Sequence, residues 1–207
     1  MGIARLSPGW PALLGVAILG GCDALVPEPD AALPIANLDL EPKPGQLEPM
    51  MPTAQGPVIE VASGAVGGED FTLTLYRSAE GFCLALSAIQ YRGAGCGPPP
   101  GEGAAELERF AIIGESGLAD GTVEIDGMVA ADVERVWVVT DHGHRAHAEL
   151  IPAGLDGLEA SIFLVFLPAG TVPTTIVAAD GTGGILEELP ILSVAPGGPA
   201  APPTPGG

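Results

Sequence analysis

The feature that most constrains the fold of this chain is a succession of short apolar runs separated by turn residues. From Val58 onward, runs rich in Val, Ile, Leu, Thr and Phe end at Gly, Pro or Asp and recur at near-regular spacing. Such runs are typical of β-strands, and the sustained periodicity of a helix is missing. The pattern predicts roughly eight to ten strands and an all-β fold, an antiparallel, Ig-like β-sandwich.

Three pairs of runs predict β-hairpins, because each pair flanks a short turn segment. The pairs are 71–76 with 82–86, 133–140 with 145–151, and 174–179 with 185–192, and their turns are Ala79-Glu80-Gly81, Asp141-His142-Gly143 and Asp180-Gly181. Further strands are predicted at 107–113 and 122–125, and the proline-rich residues 95–103 are predicted to be a loop. The run 160–167 is almost entirely apolar, as expected for a strand buried on both faces.

Proline and glycine divide the chain into segments of different character. The chain has 31 Gly and 22 Pro among its 207 residues, a proportion close to that of low-complexity sequence. Residues 22–56 are rich in Pro and acidic residues, which predicts a semi-rigid, unstructured tether. Residues 196–207 are almost entirely Pro, Gly and Ala and are predicted to be a disordered tail. The β-sandwich domain is therefore expected over 57–195.

The first twenty-one residues have the layout of a cleavable export signal. Arg5 provides a positive charge, residues 11–19 form an apolar stretch too short to cross a bilayer, and two small residues follow. The motif Leu19-Gly20-Gly21-Cys22 resembles the lipobox of bacterial lipoproteins. The resemblance implies cleavage before Cys22 and attachment of a diacylglyceryl group to its sulfur. The mature protein is then expected outside the cytoplasm, held to the cell membrane or cell envelope by its lipid.

The cysteine count is consistent with export. With Cys22 acylated, Cys83 and Cys96 remain. An oxidising compartment favours a disulfide between them, and their spacing matches neither a zinc site nor a redox motif. The sequence therefore predicts a Cys83–Cys96 disulfide.

The charge of the chain excludes one class of partner. With 7 basic and 26 acidic residues the formal net charge is -19. Such a surface repels nucleic-acid phosphates and anionic lipid headgroups. It keeps a domain soluble and suits cationic partners or divalent ions. We expect no nucleic-acid partner.

The three histidines form the sharpest candidate for a metal site. His142, His144 and His147 lie within seven residues that also contain Asp141, and imidazole with carboxylate is good ligand chemistry for zinc or copper. The alternative is a solvated hairpin tip, because Arg145 adds a positive charge and the odd spacing of His144 and His147 puts them on opposite faces of a strand. We therefore predict no dedicated metal ligands and keep the three histidines as candidates.

Four acidic residues close in sequence lack the spacing of a calcium loop. They are Asp120, Glu124, Asp126 and Asp132. Carboxylate pairs carry no signal of glycosidase chemistry in a chain with 26 acids. No serine lies in a Gly-x-Ser-x-Gly motif, and no glycine-rich loop precedes a helix. The sequence predicts a protein that is not an enzyme and has no cofactor.

The middle of the chain resembles uncharacterised secreted domains of actinobacteria. The resemblance covers most of 57–192 and implies a fold rather than an activity. It is carried by a double glycine, an aromatic strand, a cysteine strand, a Gly-Cys-Gly motif and two later strand motifs, which here are Gly67-Gly68, 71–76, Cys83, Gly95-Cys96-Gly97, 131–136 and 163–170.

These observations give two hypotheses for the function. The first is a non-enzymatic lipoprotein of the cell envelope, whose β-sandwich binds an envelope protein or polymer or has a structural role. The alternative is a metal-binding envelope lipoprotein that uses His142, His144 and His147.

Overall fold

The computed structural model describes residues 30–49, 51–88, 92–102, 109–118 and 120–191. Every regular element in these ranges is a β-strand, and all strand pairs are antiparallel. The predicted antiparallel β-sandwich class is confirmed. Within the same ranges no helix is long and apolar enough to cross a membrane. The predicted signal peptide, Cys22 and the predicted tail lie outside the described residues.

Sheet A contains the first six strands, in the order β1-β3-β4-β5-β6, with β2 paired to β3. Its strands are β1 Ala36–Asp39, β2 Lys43–Pro44, β3 Val58–Val66, β4 Glu69–Ser78, β5 Gly81–Ala88 and β6 Arg92–Gly97. The predicted hairpin at 71–86 is confirmed as β4–β5. The predicted loop at 95–103 was wrong at its start, because residues 92–97 form the edge strand β6.

Sheets B and C each contain four strands. Sheet B has the order β11-β12-β8-β7, and sheet C has the order β10-β9-β13-β14. The strands are β7 Phe110–Gly117, β8 Val123–Ala130, β9 Arg135–Thr140, β10 Arg145–His147, β11 Glu149–Pro152, β12 Ala160–Leu167, β13 Pro173–Ala179 and β14 Ile185–Pro190. The other two predicted hairpins are confirmed as β9–β10 and β13–β14. The strand predicted at 145–151 changes sheet at Ala148 and becomes β10 and β11.

Sheet B is the middle layer and separates two hydrophobic cores. On β12, Leu164 and Phe166 face the core shared with sheet A, where the rings of Phe71 and Phe166 lie 5.0 Å apart. Phe163, Val165 and Leu167 face the core shared with sheet C, where the Phe163 ring packs edge-on against Phe110. The prediction of a strand buried on both faces at 160–167 is therefore confirmed. Each buried aromatic or Leu side chain contributes roughly 1.5–3 kcal/mol to folding.

Most of the expected tether, from Asp30 onward, is part of the folded domain. The Leu33 N–H donates to the Phe166 carbonyl of sheet B, the Ala31 N–H donates to the Arg145 carbonyl of sheet C, and β1 pairs with β3 of sheet A. Leu33 and Ile35 pack against the core. The prediction of an unstructured tether was wrong from Asp30 onward, because extended proline-containing chain can pair along sheet edges while its apolar residues are buried. We call residues 30–39 the strap.

Candidate functional site

A cavity of about 230 Å³ lies between sheets A and B, beside the edge strands β6 and β7. One part of its wall is apolar and another part is polar. The backbone of the Gly-rich strand β6 closes a third side. The apolar side chains are Leu84, Leu86 and Ile112, and the polar ones are Ser116 and Asp126. Glu115 contributes backbone only, because it pairs with Ile125 on the face towards sheet C.

Strand β7 carries a β-bulge at this cavity. Ala111 pairs with Met128 and Gly114 pairs with Asp126, so β7 has one residue more than β8 over this stretch. Ile112, within the bulge, has a φ of 51°. This left-handed conformation is an outlier for a β-branched residue and costs about 1–3 kcal/mol. The bulge places the Ile112 side chain against β6, where a Cβ on Gly95 would come within 2.9 Å of its Cγ2 atom.

Two carboxyl groups of β8 lie on the face that points towards sheet A. Glu124 and Asp126 are two residues apart, which puts them on one face of the strand. Glu124 is 0% exposed and Asp126 is 7% exposed. Across the ladder, Ser116 lies opposite Glu124 and Gly114 lies opposite Asp126. A Cβ on Gly114 would overlap the Oδ1 atom of Asp126, so the carboxyl group in this orientation occupies the space that glycine leaves open.

Burial dominates the electrostatics of the pair. It raises the pKa of Glu124 well above its usual value, and the negative charge of Asp126 adds to that increase. Burial also raises the pKa of Asp126, to about 6. A hydrogen bond between the two side chains raises the pKa of Glu124 further and lowers that of Asp126, so Glu124 is the group that holds a proton, and Ser116 also lies within reach of Glu124. The ion pairs found in these ranges all involve other carboxylates. The pair is therefore a buried acidic group that no described cation neutralises.

This arrangement is better suited to binding than to acid–base catalysis. A carboxyl dyad works when both groups reach the reacting atoms. Only Asp126 lines the cavity, and Glu124 is enclosed behind it. The accessible polar atoms near the pair are therefore one carboxyl group and the Ser116 hydroxyl. They are acceptors for a ligand that donates hydrogen bonds or carries positive charge.

The disulfide fixes one wall of this cavity. Cys83 and Cys96 lie opposite each other on β5 and β6, with Cα atoms 4.1 Å apart, and are joined by a disulfide. The predicted pairing is confirmed. The bond ties the glycine-rich edge strand β6 to the interior strand β5 next to Gly95.

The histidines do not converge on one point. His142 is exposed, and its Nδ1 atom lies 2.7 Å from Asp141 Oδ1. Its ring stacks on His144 with centroids 6.4 Å apart, whereas His147 lies beside the ring of Trp137. In the part of the chain that is described, no group of three or more His, Cys, Asp or Glu side chains is arranged to hold a metal ion.

The structure separates the four acidic residues that the sequence places close together. The Asp120 carboxylate accepts a hydrogen bond from the Thr122 N–H, and Asp132 pairs with Arg109. Of the four, only Glu124 and Asp126 adjoin each other, and only Asp126 lines the cavity. The sequence contained a signal for them, since Val123-Glu124-Ile125-Asp126 alternates as a strand does, which places both acids on one face. Met128 lies on the same face and belongs to the core, so this face is the buried one.

Comparisons with known proteins give no relatives, because no family model, no curated protein and no solved structure matches this chain.

Proposed function

We propose that this chain is a lipid-anchored protein of the cell envelope, and that its β-domain is a non-enzymatic binding module with the cavity beside Asp126 as its ligand site. The observation that carries the binding site is a carboxyl group, 7% exposed, in the wall of a cavity of about 230 Å³. A cavity that combines apolar walls with a few polar groups and a perturbed pKa is the usual form of a small-ligand site.

The anchor is supported by the motif Leu19-Gly20-Gly21-Cys22 at the end of an apolar stretch. The Cys83–Cys96 disulfide fits the oxidising side of a membrane. The strap begins at Asp30, so residues 23–29 would link the lipid to the domain. Seven residues span at most about 25 Å when fully extended. The domain would therefore lie close to the bilayer, with its cavity available to a small group on an envelope protein or polymer.

One preparation tests both parts of the proposal. The full chain, expressed in a bacterium and extracted from the membrane fraction with detergent, should yield an N-terminal peptide whose Cys22 carries a diacylglyceryl group in mass spectra. A fragment screen by NMR on the same material should give hits that shift the methyl signals of Leu84, Leu86 and Ile112, because these side chains line the cavity.

The matched control is Cys22→Ser, which should move the chain out of the membrane fraction and leave the fragment hits unchanged. An unmodified Cys22 in a soluble product would contradict the anchor. Fragment hits that leave all three methyl signals unmoved would contradict the cavity as the ligand site.

A further inference from the structure

We propose that the cavity binds a primary ammonium group on a short alkyl chain, with the ammonium against Asp126 and Ser116 and the alkyl chain against Leu84, Leu86 and Ile112. This inference rests on the proposed function, since it names the ligand class of that same cavity.

The carboxyl group of Asp126 has no counter-charge among the described residues. A buried carboxylate is costly unless it is paired with a cation or takes up a proton. Arg92, at the start of the wall strand β6, instead pairs with Glu48 at 3.1 Å, and Arg109, just before β7, pairs with Asp132 at 3.1 Å. No cation of the described chain thus reaches Asp126, whose side chain is hydrogen-bonded to Glu124. A positive group from outside would supply the missing counter-charge.

The cavity matches such a ligand in both size and polarity. Its volume of about 230 Å³ exceeds the roughly 150 Å³ of a cavity that holds benzene, so an amine of a few carbons fits. The three apolar side chains line the same cavity as the carboxyl group, as an amphipathic ligand requires. An ammonium has three donors and no acceptor, which matches the carboxylate of Asp126 and the Ser116 hydroxyl.

A divalent metal ion fits this site less well. Calcium takes six to eight oxygen ligands and magnesium requires an octahedral set. Only one carboxyl of the buried pair lines the cavity, and the described ranges contain no group of three or more potential metal-binding side chains. An ammonium group needs no such set, because the negative charge of Asp126 and two acceptor groups, the Asp126 carboxylate and the Ser116 hydroxyl, are enough to hold it.

Binding of a cation here competes with protons. The titratable group that faces the ligand is Asp126, with Glu124 behind it, and both come from β8. Glu115 of β7 pairs with Ile125 and directs its side chain to the opposite face of sheet B. The wall residues contributed by β5 and β6 carry no titratable side chain. Because burial raises the pKa of Asp126 to about 6, its charged form becomes available only as the pH rises through that value. Affinity for an ammonium group should therefore increase with pH.

The test is calorimetric titration of the full chain in detergent with n-butylammonium chloride, 1-butanol and sodium butyrate, at pH values on either side of the Asp126 pKa of about 6. At the higher pH, n-butylammonium should bind about 10- to 100-fold more tightly than 1-butanol, the range expected for a charge-assisted hydrogen bond. Butyrate should not bind. Asp126→Asn should remove the preference for the ammonium, whereas Asp156→Asn, in an exposed turn, should keep it.

The outcomes separate this inference from the proposed function. If 1-butanol binds as tightly as n-butylammonium and shifts the Ile112 methyl signal, the cavity is a ligand site and the cation is wrong. If none of the three probes binds, the inference fails, and the fragment screen alone decides whether the cavity is a ligand site. Unchanged n-butylammonium affinity in Asp126→Asn would overturn the inference, as would tighter binding of calcium or magnesium chloride. Should Asp126→Asn not fold, Ser116→Ala decides, with an expected loss of roughly 2- to 10-fold in n-butylammonium affinity.

Discussion

Aspartate side chains of this protein are held in two opposite environments. Asp180 lies in the β13–β14 turn, where hydrogen bonds from the Thr182 hydroxyl and from the backbone N–H of Gly184 lower the pKa of its carboxyl. Asp126 is buried beside Glu124, and burial raises its pKa to about 6. The same side chain therefore contributes to stability with opposite pH dependence at the two positions.

At the residue scale we expect Asp126 to make the protein less stable as the pH rises. Its folded-state pKa of about 6 exceeds the reference value of 3.8, so the folded state binds its proton more tightly. This contribution is fully present below the reference value and is lost as the pH rises through the folded value. The loss is on the order of 3 kcal/mol in the free energy of unfolding. Urea titrations of the wild type and of Asp126→Asn across this pH range measure it as the difference between the two profiles.

Asp180→Asn serves as the matched control for that experiment. The lowered pKa of Asp180 gives stability that is present above its reference value of 3.8 and is lost as the pH falls. Its substitution should therefore alter the acid end of the profile and leave the slope near pH 6 intact. The comparison also subtracts the general repulsion within an acidic chain, which all three proteins share. Parallel profiles for the wild type and Asp126→Asn would contradict the raised pKa of Asp126.

At the scale of elements, β8 depends on a glycine in its interior. Gly127 pairs with Phe163 on β12, and a Cβ at this position would come within 2.5 Å of the Phe163 Cζ atom and 2.8 Å of the Ile112 carbonyl oxygen. The Phe163 ring and the bulged backbone at Ile112 thus both pack directly against Gly127. The strand remains continuous from Val123 to Ala130 because the aromatic ring of its neighbour fills the space above the glycine.

We predict that Gly127→Ala destabilises the protein by about 1–3 kcal/mol, the usual cost of overpacking a core. The added methyl group meets backbone as well as a ring, so a simple side-chain rotation cannot relieve the overlap. Gly117→Ala on the neighbouring strand is the control, since a Cβ there meets nothing within 4 Å. It should change the free energy of unfolding by less than about 0.5 kcal/mol. Equal midpoints in urea for the two variants would contradict the close contact at Gly127.

An element can be predicted from the sequence when the pattern that specifies it lies within the element itself, and not when distant parts of the chain hold it in place. The hairpins and the buried strand β12 are specified by local alternation and turn residues, and they could be predicted. Asp126-Gly127 has the composition of a turn, so the strand predicted at 122–125 ended too early. Strand β6 pairs with β5, which directly precedes it, but its glycines and the prolines that follow have the composition of a loop. The strap pairs with β3 and is hydrogen-bonded to sheets B and C, which are distant in the chain. No local pattern records such partners, and for the same reason the cavity between β6 and β7 could not be foreseen.

The three-layer arrangement means that both cores share one sheet. Sheet A and sheet C each pack on opposite faces of sheet B, and the strap is hydrogen-bonded to sheets B and C before it pairs with sheet A as β1. The number of layers was not apparent from the sequence, because alternation within a strand shows which faces are buried and not what covers them. Loss of order in sheet B would expose both cores at once, and we expect the domain to unfold as one unit.

This expectation can be tested with two adjacent residues of β12 and two spectroscopic reporters. Leu164 faces the core shared with sheet A, and Phe163 faces the core shared with sheet C. Leu164→Ala should cost about 2–5 kcal/mol and Phe163→Ala about 3–5 kcal/mol. Tyr76 lies in sheet A and Trp137 in sheet C, so the NMR ring signals of Tyr76 and the indole signals of Trp137 report on the two outer layers.

In the wild type and in both variants, the two signals should change at the same urea concentration, because removing a side chain from either core weakens the sheet that both cores need. Ile185→Ala is the control for a general effect of shortening a side chain. Ile185 is 60% exposed on the edge strand β14, so its loss should move neither signal appreciably. If Leu164→Ala lowered the midpoint for Tyr76 and left that for Trp137 unchanged, the two cores would be independent. Sheet B would then join two separately folding halves, and the cavity between sheets A and B could open without disturbing sheet C.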